Sequence, residues 1–358
     1  MASAWSTAAA QEPAEPAAAP ASDPSFTNGV GKASAQVAKI APGVGSLELA
    51  IGTGKAVSEL RNGLAQSQAQ AADLGLIGTV LTAEGCGGGD PLVPAQITDQ
   101  LPKPIRVDNR KGTASFAEDV LPLQAGDAAG VGRMEVSATD EPTSAEAIAT
   151  MTTAGLGPVV TINGGKATAT TRIVDGNARE AVATTEMSIE IAGVLELAGM
   201  KWQAIHRTGA GAKTEGTFVM GSAPGAPAFA DIDTLAPIEP ALNQLLAPTG
   251  LSIQLPKVVH ITEPVDLVRV TPLRIQLKDS QLGGTLLGPV LDATRDVRTQ
   301  LFDAISAQLC QAAGAFLVAD VATTILAGAG FLTLEIGGVE ATTTDVQFED
   351  PFGTFTPP

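Results

Sequence analysis

The chain has 358 residues, of which 44% are hydrophobic, enough apolar side chain to fill one large core or two ordinary ones. Its 38 acidic and 21 basic side chains give a net charge of −17, which repels nucleic acid phosphates and anionic lipid headgroups at long range and argues against nucleic acid as a partner. Aromatic residues make up only 3%, tyrosine is absent and there are two histidines, so aromatic stacking platforms and histidine-based metal or acid-base sites are disfavoured.

The charge pattern also bears on location. Charged residues are 16% of the chain, against an average of about 25%, and such an acidic, lysine-poor surface suits an extracellular or cell-surface setting. The N-terminus shows no basic segment followed by an apolar one, so we expect an exported form to carry a signal peptide that this sequence lacks. The best apolar stretch, residues 316–339, contains Asp320 and Glu335, and we therefore predict no transmembrane segment.

Composition divides the chain into three parts. Residues 1–28 are rich in Ala, Pro and Glu, which keeps a chain extended and solvated, and we predict a disordered tail. From residue 29 to residue 348, small or apolar residues alternate with polar ones, which is typical of strands. We interpret 29–348 as a single β-rich domain with a candidate sub-boundary near 222–236, followed by a frayed C-terminal tail over 349–358.

The clearest hairpin joins residues 166–174 to residues 178–187, because Asp175-Gly176 supplies the positive φ that a tight turn requires. The strands indicate an antiparallel meander. Residues 66–71 form a strand with one face of small side chains only, which either lets another layer of backbone approach closely or leaves a flat exterior. Further strands are predicted at 188–191, 194–197, 201–207, 215–220, 251–259, 265–277, 331–336 and 339–348.

Two helices interrupt the strands. Residues 237–246 begin with a proline and end before Pro248 and Gly250, which predicts a short helix. Over residues 288–311 apolar side chains recur every four residues, which predicts a long amphipathic helix covering a sheet face. The residues of this helix that would line an apolar groove against the sheet are Val297, Leu301, Phe302 and Ile305. The predicted fold class is mainly β (α+β), a long antiparallel sheet or sandwich covered by the long helix and the short one.

The two cysteines leave two alternatives open. Cys86 lies in a glycine run and Cys310 near the end of the predicted long helix, so no CxxC-type metal or redox spacing exists. A disulfide between them would close a long loop, which the chain-entropy model values at roughly 4 to 5 kcal/mol. The other alternative is two unrelated buried thiols.

No pattern in the sequence indicates an enzyme. Neither His206 nor His260 has the Ser, Cys or carboxylate spacing of a catalytic triad or zinc site, and we interpret each as a structural or surface histidine. Residues 52–55 resemble a phosphate-binding loop only briefly, because Ala56 follows the lysine where Ser or Thr is needed. We predict no catalytic residues, no metal and no cofactor, with Trp202 as a core anchor.

Five short segments carry a family resemblance: residues 71–79, 105–110, 204–209, 270–275 and 334–339. With these segments the chain resembles secreted cell-envelope proteins of actinobacteria, similar to the loosely defined choice-of-anchor proteins, over roughly residues 30–346. The resemblance implies secretion and association with the cell envelope. It implies no established enzymatic activity and assigns no functional residues.

The sequence therefore favours a secreted structural or binding protein of the cell surface, without catalytic activity. An alternative is an extracellular carrier of lipid or another apolar ligand, held in a groove between the sheet and the long helix. A third hypothesis is a subunit of a surface filament or layer that assembles through exposed strand edges. The expected partners are other cell-surface components, further copies of the chain or lipid.

Overall fold

Period-two alternation produces strands through most of the described chain in a computed structural model. The structure describes residues 29–42, 51–73, 103–120, 132–156, 160–174, 178–209, 211–221, 230–277 and 332–345. The strands are β1 Gly29–Pro42, β2 Ile51–Arg61, β3 Leu64–Asp73, β4 Ile105–Asp108, β5 Ala114–Val120, β6 Gly132–Thr139, β7 Ser144–Met151, β8 Thr153–Leu156, β9 Val160–Val174, β10 Ala178–Ile191, β11 Leu195–Arg207, β12 Lys213–Met220, β13 Ala230–Asp231, β14 Leu251–Gln254, β15 Val258–Ile261, β16 Leu267–Val270, β17 Leu273–Leu277, β18 Leu332–Ile336 and β19 Val339–Asp345. The helices are α1 Ile232–Leu235 and α2 Glu239–Leu246, with 3-10 turns at Ala236–Ile238 and Ala247–Thr249.

The strands form two antiparallel sheets. In sheet I the order begins β4-β3-β2-β1 and continues through β19-β16-β15 along one half of β1 and β18-β17-β14 along the other. In sheet II the order is β5-β6-β7-β9-β10-β11-β12-β13, with β8 extending β7 beside β9. The sheets lie face to face with their strands aligned, so that β2 faces β7 and β9 while β19 faces β10 and β11.

Three strand pairs of sheet I are halves of longer strands, interrupted at the same level. Leu267 lies opposite Thr342, and beyond the interruption Leu273 lies opposite Ile336 with the register unchanged. The same constancy joins β14 to β15 and β18 to β19. The interruptions lie side by side, and we call the line they form the crease: residues 255–257, Thr271-Pro272 and Gly337-Gly338.

At the crease the alternation of inward and outward side chains shifts by one residue. In β18 the even-numbered Leu334 and Ile336 are buried, whereas in β19 the odd-numbered Val339 and Ala341 are. Gly337 and Gly338 absorb the shift with φ of 72° and 102°, a region that favours glycine. As a result, two adjacent residues of β1, rather than two alternate ones, form hydrogen bonds with these glycines. The Gln36 amide donates to the Gly338 carbonyl at 3.2 Å, and the Gly337 amide donates to the Val37 carbonyl at 2.7 Å.

Sheet II bends at the same level. The β9–β10 register slips by one residue beside Gly164 and Gly165, and the β10–β11 register slips beside Gly199. The two lines are in contact, because a Cβ at Gly165 would lie 2.6 Å from Val37 Cγ1 and a Cβ at Gly337 would lie 2.5 Å from Trp202 Cε2. At the crease each sheet therefore carries a glycine where a side chain of the other sheet approaches its backbone.

One half of the sandwich is thin. Between β1–β4 and β5–β10 the core is made largely of alanine methyl groups. Cα atoms of facing strands approach within 8 Å there, as they also do where β16 and β19 face β10–β12, although packed sheets are usually about 10 Å apart. Short polar side chains bridge the gap: Ser58 Oγ donates to the Ala145 carbonyl at 3.0 Å and Ser67 Oγ to the Ser137 carbonyl at 2.9 Å. The small face predicted over 66–71 therefore admits a second backbone layer rather than forming a flat exterior.

The other half has a bulky core. Trp202 is fully buried and its ring centre lies 4.8 Å from that of Phe218, which confirms the predicted core anchor. Leu242 and Leu246 of α2 enter the same core beside β14. The predicted short helix is confirmed, starting at Glu239.

The mainly β prediction is confirmed, and the arrangement around the sheets is corrected. In the described chain the inner face of sheet I is covered by sheet II and not by a helix, because both sets of strands alternate and each sheet has one apolar face. The hairpin 166–187 is confirmed, and residues 188–191 continue β10 rather than forming a separate strand. The predicted long helix over 288–311 and the tails 1–28 and 349–358 lie outside the described residues.

Gly337→Ala tests the contact at the crease. The new Cβ would meet the Trp202 ring at 2.5 Å and would sit at positive φ, so we expect the free energy of unfolding in urea to fall on the order of 3 kcal/mol. Gly250→Ala is the matched control, because Gly250 has the same φ of 72° with nothing within 4 Å, and its expected loss is about 1 kcal/mol. Equal losses would show that the Trp202 contact is unimportant.

Candidate functional site

His206 of β11 is the one histidine that the structure buries. It is 2% exposed and lies on the inner face of sheet II, opposite Thr343 of β19 in sheet I. The His206 Nδ1 atom lies 2.7 Å from Thr343 Oγ1 and accepts the Thr343 backbone amide at 3.1 Å. Because an amide N–H always donates, the network assigns the ring proton to Nε2 in the neutral imidazole.

Asp266 completes a threonine, histidine and carboxylate grouping. Its Oδ2 lies 3.3 Å from His206 Nε2, out of line for a good hydrogen bond, and its side chain is 52% exposed. These residue types are those of a catalytic triad, in which the base takes a proton from a hydroxyl and the carboxylate orients the ring. The sequence did not suggest the grouping, because Thr343 is 137 residues from His206.

The geometry gives this grouping a structural role. A nucleophile must reach its substrate, whereas Thr343 is 2% exposed inside the sandwich. The Nδ1 lone pair, which would have to accept the hydroxyl proton, already accepts a backbone amide. His206 therefore links the two sheets, as the sequence analysis expected for a structural histidine, and His260 of β15 is exposed at the edge of sheet I.

The outer face of sheet II carries a shallow groove of about 390 Å³ across β5, β6 and β7. Hydroxyl groups of Ser115 and Ser137 line it together with the apolar side chain of Ile148. Phe116 of edge strand β5 is 51% exposed next to it, and because Phe116 lies opposite the buried Val136, its ring is on the other face of the strand from Arg133 and Glu135. The groove therefore offers hydroxyl and charged groups on the outer face of the sheet, with one exposed aromatic ring at the adjoining edge.

Arg133 is the cation of the groove. Its Nε donates to Glu135 Oε1 at 2.6 Å and its Nη1 to Asp119 Oδ1 at 2.9 Å. Hydrogen bonds to Glu135 and then to Asp119 raise the pKa of Arg133 above its usual value. The two carboxylates hold the half-exposed guanidinium in place at the groove.

Sequence reasoning missed the groove. Residues 114–120 contain one aromatic side chain, Phe116, near the acidic pair Glu118 and Asp119, and this short run did not stand out as a strand. An isolated phenylalanine in a polar segment was the available signal, because an aromatic residue without apolar neighbours is often at a surface.

The candidate site residues named from the sequence lie outside the described part of the chain. These are the groove residues Val297, Leu301, Phe302 and Ile305 and the cysteines Cys86 and Cys310. Within the described ranges, no group of three His, Cys, Asp or Glu side chains is placed to bind a metal ion. Nor is any helix in those ranges both long and apolar enough to span a bilayer.

Comparison of the chain with protein-family models, with curated proteins and with solved structures finds no match.

His206→Ala tests the link between the sheets. Removing the imidazole leaves the Thr343 amide buried without its acceptor, and we expect a loss of about 2 to 3 kcal/mol in the free energy of unfolding in urea. Thr343→Val removes the hydroxyl and keeps the amide bond to Nδ1, so its expected loss is smaller, about 1 kcal/mol. A larger loss for Thr343→Val would contradict the role assigned to the amide.

Proposed function

We propose that the chain is a non-catalytic binding protein of the cell surface, which holds its partner on the outer face of sheet II. The observation that carries this proposal is the groove of paired charges and hydroxyl groups on the outer face of β5, β6 and β7, next to the edge at which Phe116 is exposed. Binding groups on rigid elements lose little conformational entropy when a partner is bound.

The packing between the sheets supports a binding role over a catalytic one. Enzyme and carrier sites are concave hollows that enclose most of a small ligand. In the described chain the space between the sheets is occupied by alanine side chains at one end and by Trp202, Phe218 and Leu242 at the other. The grouping of His206, Thr343 and Asp266, which has the residue types for acyl transfer, is engaged in holding the sheets together.

The groove chemistry favours a polysaccharide as the partner. A sugar ring presents a C–H face that packs on an aromatic ring, and its hydroxyl groups bond to charged and hydroxyl side chains. A polysaccharide chain that crosses the edge at β5 would contact Phe116 at the edge and Arg133, Glu135 and Glu146 on the outer face. Charged groups that lie in pairs bond neutral hydroxyls without attracting phosphates strongly, in agreement with a net charge of −17.

The cell-surface location rests on composition. Low charged content and a strong acidic excess favour a secreted protein, and polysaccharides are abundant in cell envelopes. The alternative of an apolar-ligand carrier depends on Val297, Leu301, Phe302 and Ile305, and nothing in the described chain favours it.

Phe116→Ala tests the groove. We expect co-sedimentation with insoluble cell-wall polysaccharide to weaken by about fivefold, since loss of an exposed aromatic contact costs on the order of 1 kcal/mol. Leu245→Ala is the matched control, because Leu245 is 45% exposed on α2, far along the sandwich from β5, and its binding should not change. Equal binding by Phe116→Ala and the unaltered chain, or release of soluble sugars from the polysaccharide, would contradict the proposal.

A further inference from the structure

Strands β14 and β15 together form the outer edge of sheet I, and the β14 part of this edge is covered. In β14 the Ile253 amide donates to Asn243 Oδ1 at 2.6 Å, and Asn243 Nδ2 donates to the Ile253 carbonyl at 2.9 Å. The Leu255 amide donates to Glu239 Oε2 at 2.9 Å. Side chains of α2 thus take the place of a neighbouring strand, which protects this edge from other chains.

The β15 half lacks such a cover among the described residues, where its strand partner is β16 alone. The Thr271 amide donates to the Lys257 carbonyl at 2.9 Å, so the polar groups of Lys257 point toward β16. Because these groups alternate in an antiparallel ladder, Val259 and Ile261 also point toward β16. The amide and carbonyl groups of Val258 and His260 then point outward, at an edge where the His260 side chain is exposed.

The other outer strands differ from β15 in charge, length or composition. Edge strand β4 carries Arg106 and Asp108, and β5 carries Glu118 and Asp119. Charged side chains on an edge oppose pairing with another chain, and β13 has only two residues. Strand β8 is uncharged but contains Gly155, and glycine weakens a strand. The sequence of β15, Val-Val-His-Ile, holds no permanent charge and has high strand propensity, so it is the edge best suited to pair.

We propose that a second copy of this chain pairs with β15 in antiparallel register about a two-fold axis, with His260 opposite itself. Directly opposed residues of paired strands point to the same face of a sheet. A two-fold axis perpendicular to the sheet keeps each residue and its copy on the same face, whereas neighbouring residues point to opposite faces. The axis must therefore pass beside one residue, which lies opposite its own copy. His260 satisfies this condition with its amide and carbonyl directed outward. Each copy then donates from the His260 amide to the His260 carbonyl of the other.

Charge favours a second copy in this register. A net charge of −17 makes copies repel each other over most of their surface, but the paired edge is uncharged. The register places Lys257 of one copy alongside Glu263 of the other, on both sides of the axis, and both residues are exposed. Val259 comes opposite Ile261, so apolar side chains meet between the two charge pairs.

The result is a closed dimer whose sheet I is continuous through both copies. Both copies use the same edge strand, so the interface is closed and does not propagate into a filament. This pairing does not depend on the proposed polysaccharide binding, which uses the opposite end of the sandwich.

His260→Pro tests the pairing by sedimentation velocity over a concentration series. The substitution removes an amide that points away from β16, so the fold should be retained, as circular dichroism would verify. We expect a monomer–dimer equilibrium for the unaltered chain and at least about tenfold weaker association for His260→Pro. A monomer at all concentrations, or association that His260→Pro leaves unchanged, would overturn the proposal.

A charge exchange tests the register. Lys257→Glu and Glu263→Lys should each weaken association, because each places like charges side by side across the axis. The double variant restores opposite charges and should regain dimerisation. Failure of the double variant to exceed both single variants would rule out this register.

Cysteine cross-linking gives an independent measurement. Opposed residues of a hydrogen-bonded pair have Cα atoms about 5.5 Å apart, within the disulfide range of roughly 4.4 to 6.8 Å, so His260→Cys should form a covalent dimer on mild oxidation. Val259→Cys is the matched control, because its copies lie diagonally across the axis at more than about 7 Å and should not link. Peptide mapping separates the 260–260 bond from any bond of the native cysteines, and equal yields for the two variants would overturn the register.

Discussion

The contact between the Trp202 ring and the backbone of Gly337 sets the geometry of the whole sandwich. The ring needs a place in sheet I without a side chain, and the glycine there takes a positive φ that shifts the phase of the strand. Neighbouring strands must shift at the same level, because a strand out of phase would turn its apolar side chains to solvent. The crease in sheet I therefore depends on sheet II as well. A second contact of the same kind, between Val37 of sheet I and the backbone of Gly165 in sheet II, lies beside it.

In the described residues the space between the two sheets is filled by side chains in contact. The polar residues inside it, such as Ser58, Ser67 and His206, form hydrogen bonds with the opposite sheet. Both proposed binding surfaces lie at the perimeter. One end carries a charged edge with the exposed Phe116 and the adjoining groove, and the other an uncharged edge with open backbone groups, so we propose a different kind of partner for each end.

Local patterns predicted the strands well and their assembly poorly. The hairpin 166–187 followed from Asp175-Gly176 and alternation, and the buried position of Trp202 followed from its imperfect alternation with Ile205. In contrast, Thr271-Pro272 and Gly337-Gly338 look like turns between separate strands in the sequence. The structure shows that the register is the same on both sides of each break, and only the pairing with the neighbouring strand reveals this. The pairing of His206 with Thr343 and the capping of Ile253 by Asn243 join distant or differently folded segments, which periodicity does not reveal.

The thin half of the sandwich changes the meaning of the composition. Alanine repeated at alternate positions, as at Ala145, Ala147 and Ala149, looks like compositional bias in a sequence read alone. With backbones this close, each of these sites has room for a methyl group and little else, so drift toward valine or leucine would force the layers apart. The repeated alanine is therefore required by the close approach of the two sheets, and these alanine positions tolerate larger side chains poorly.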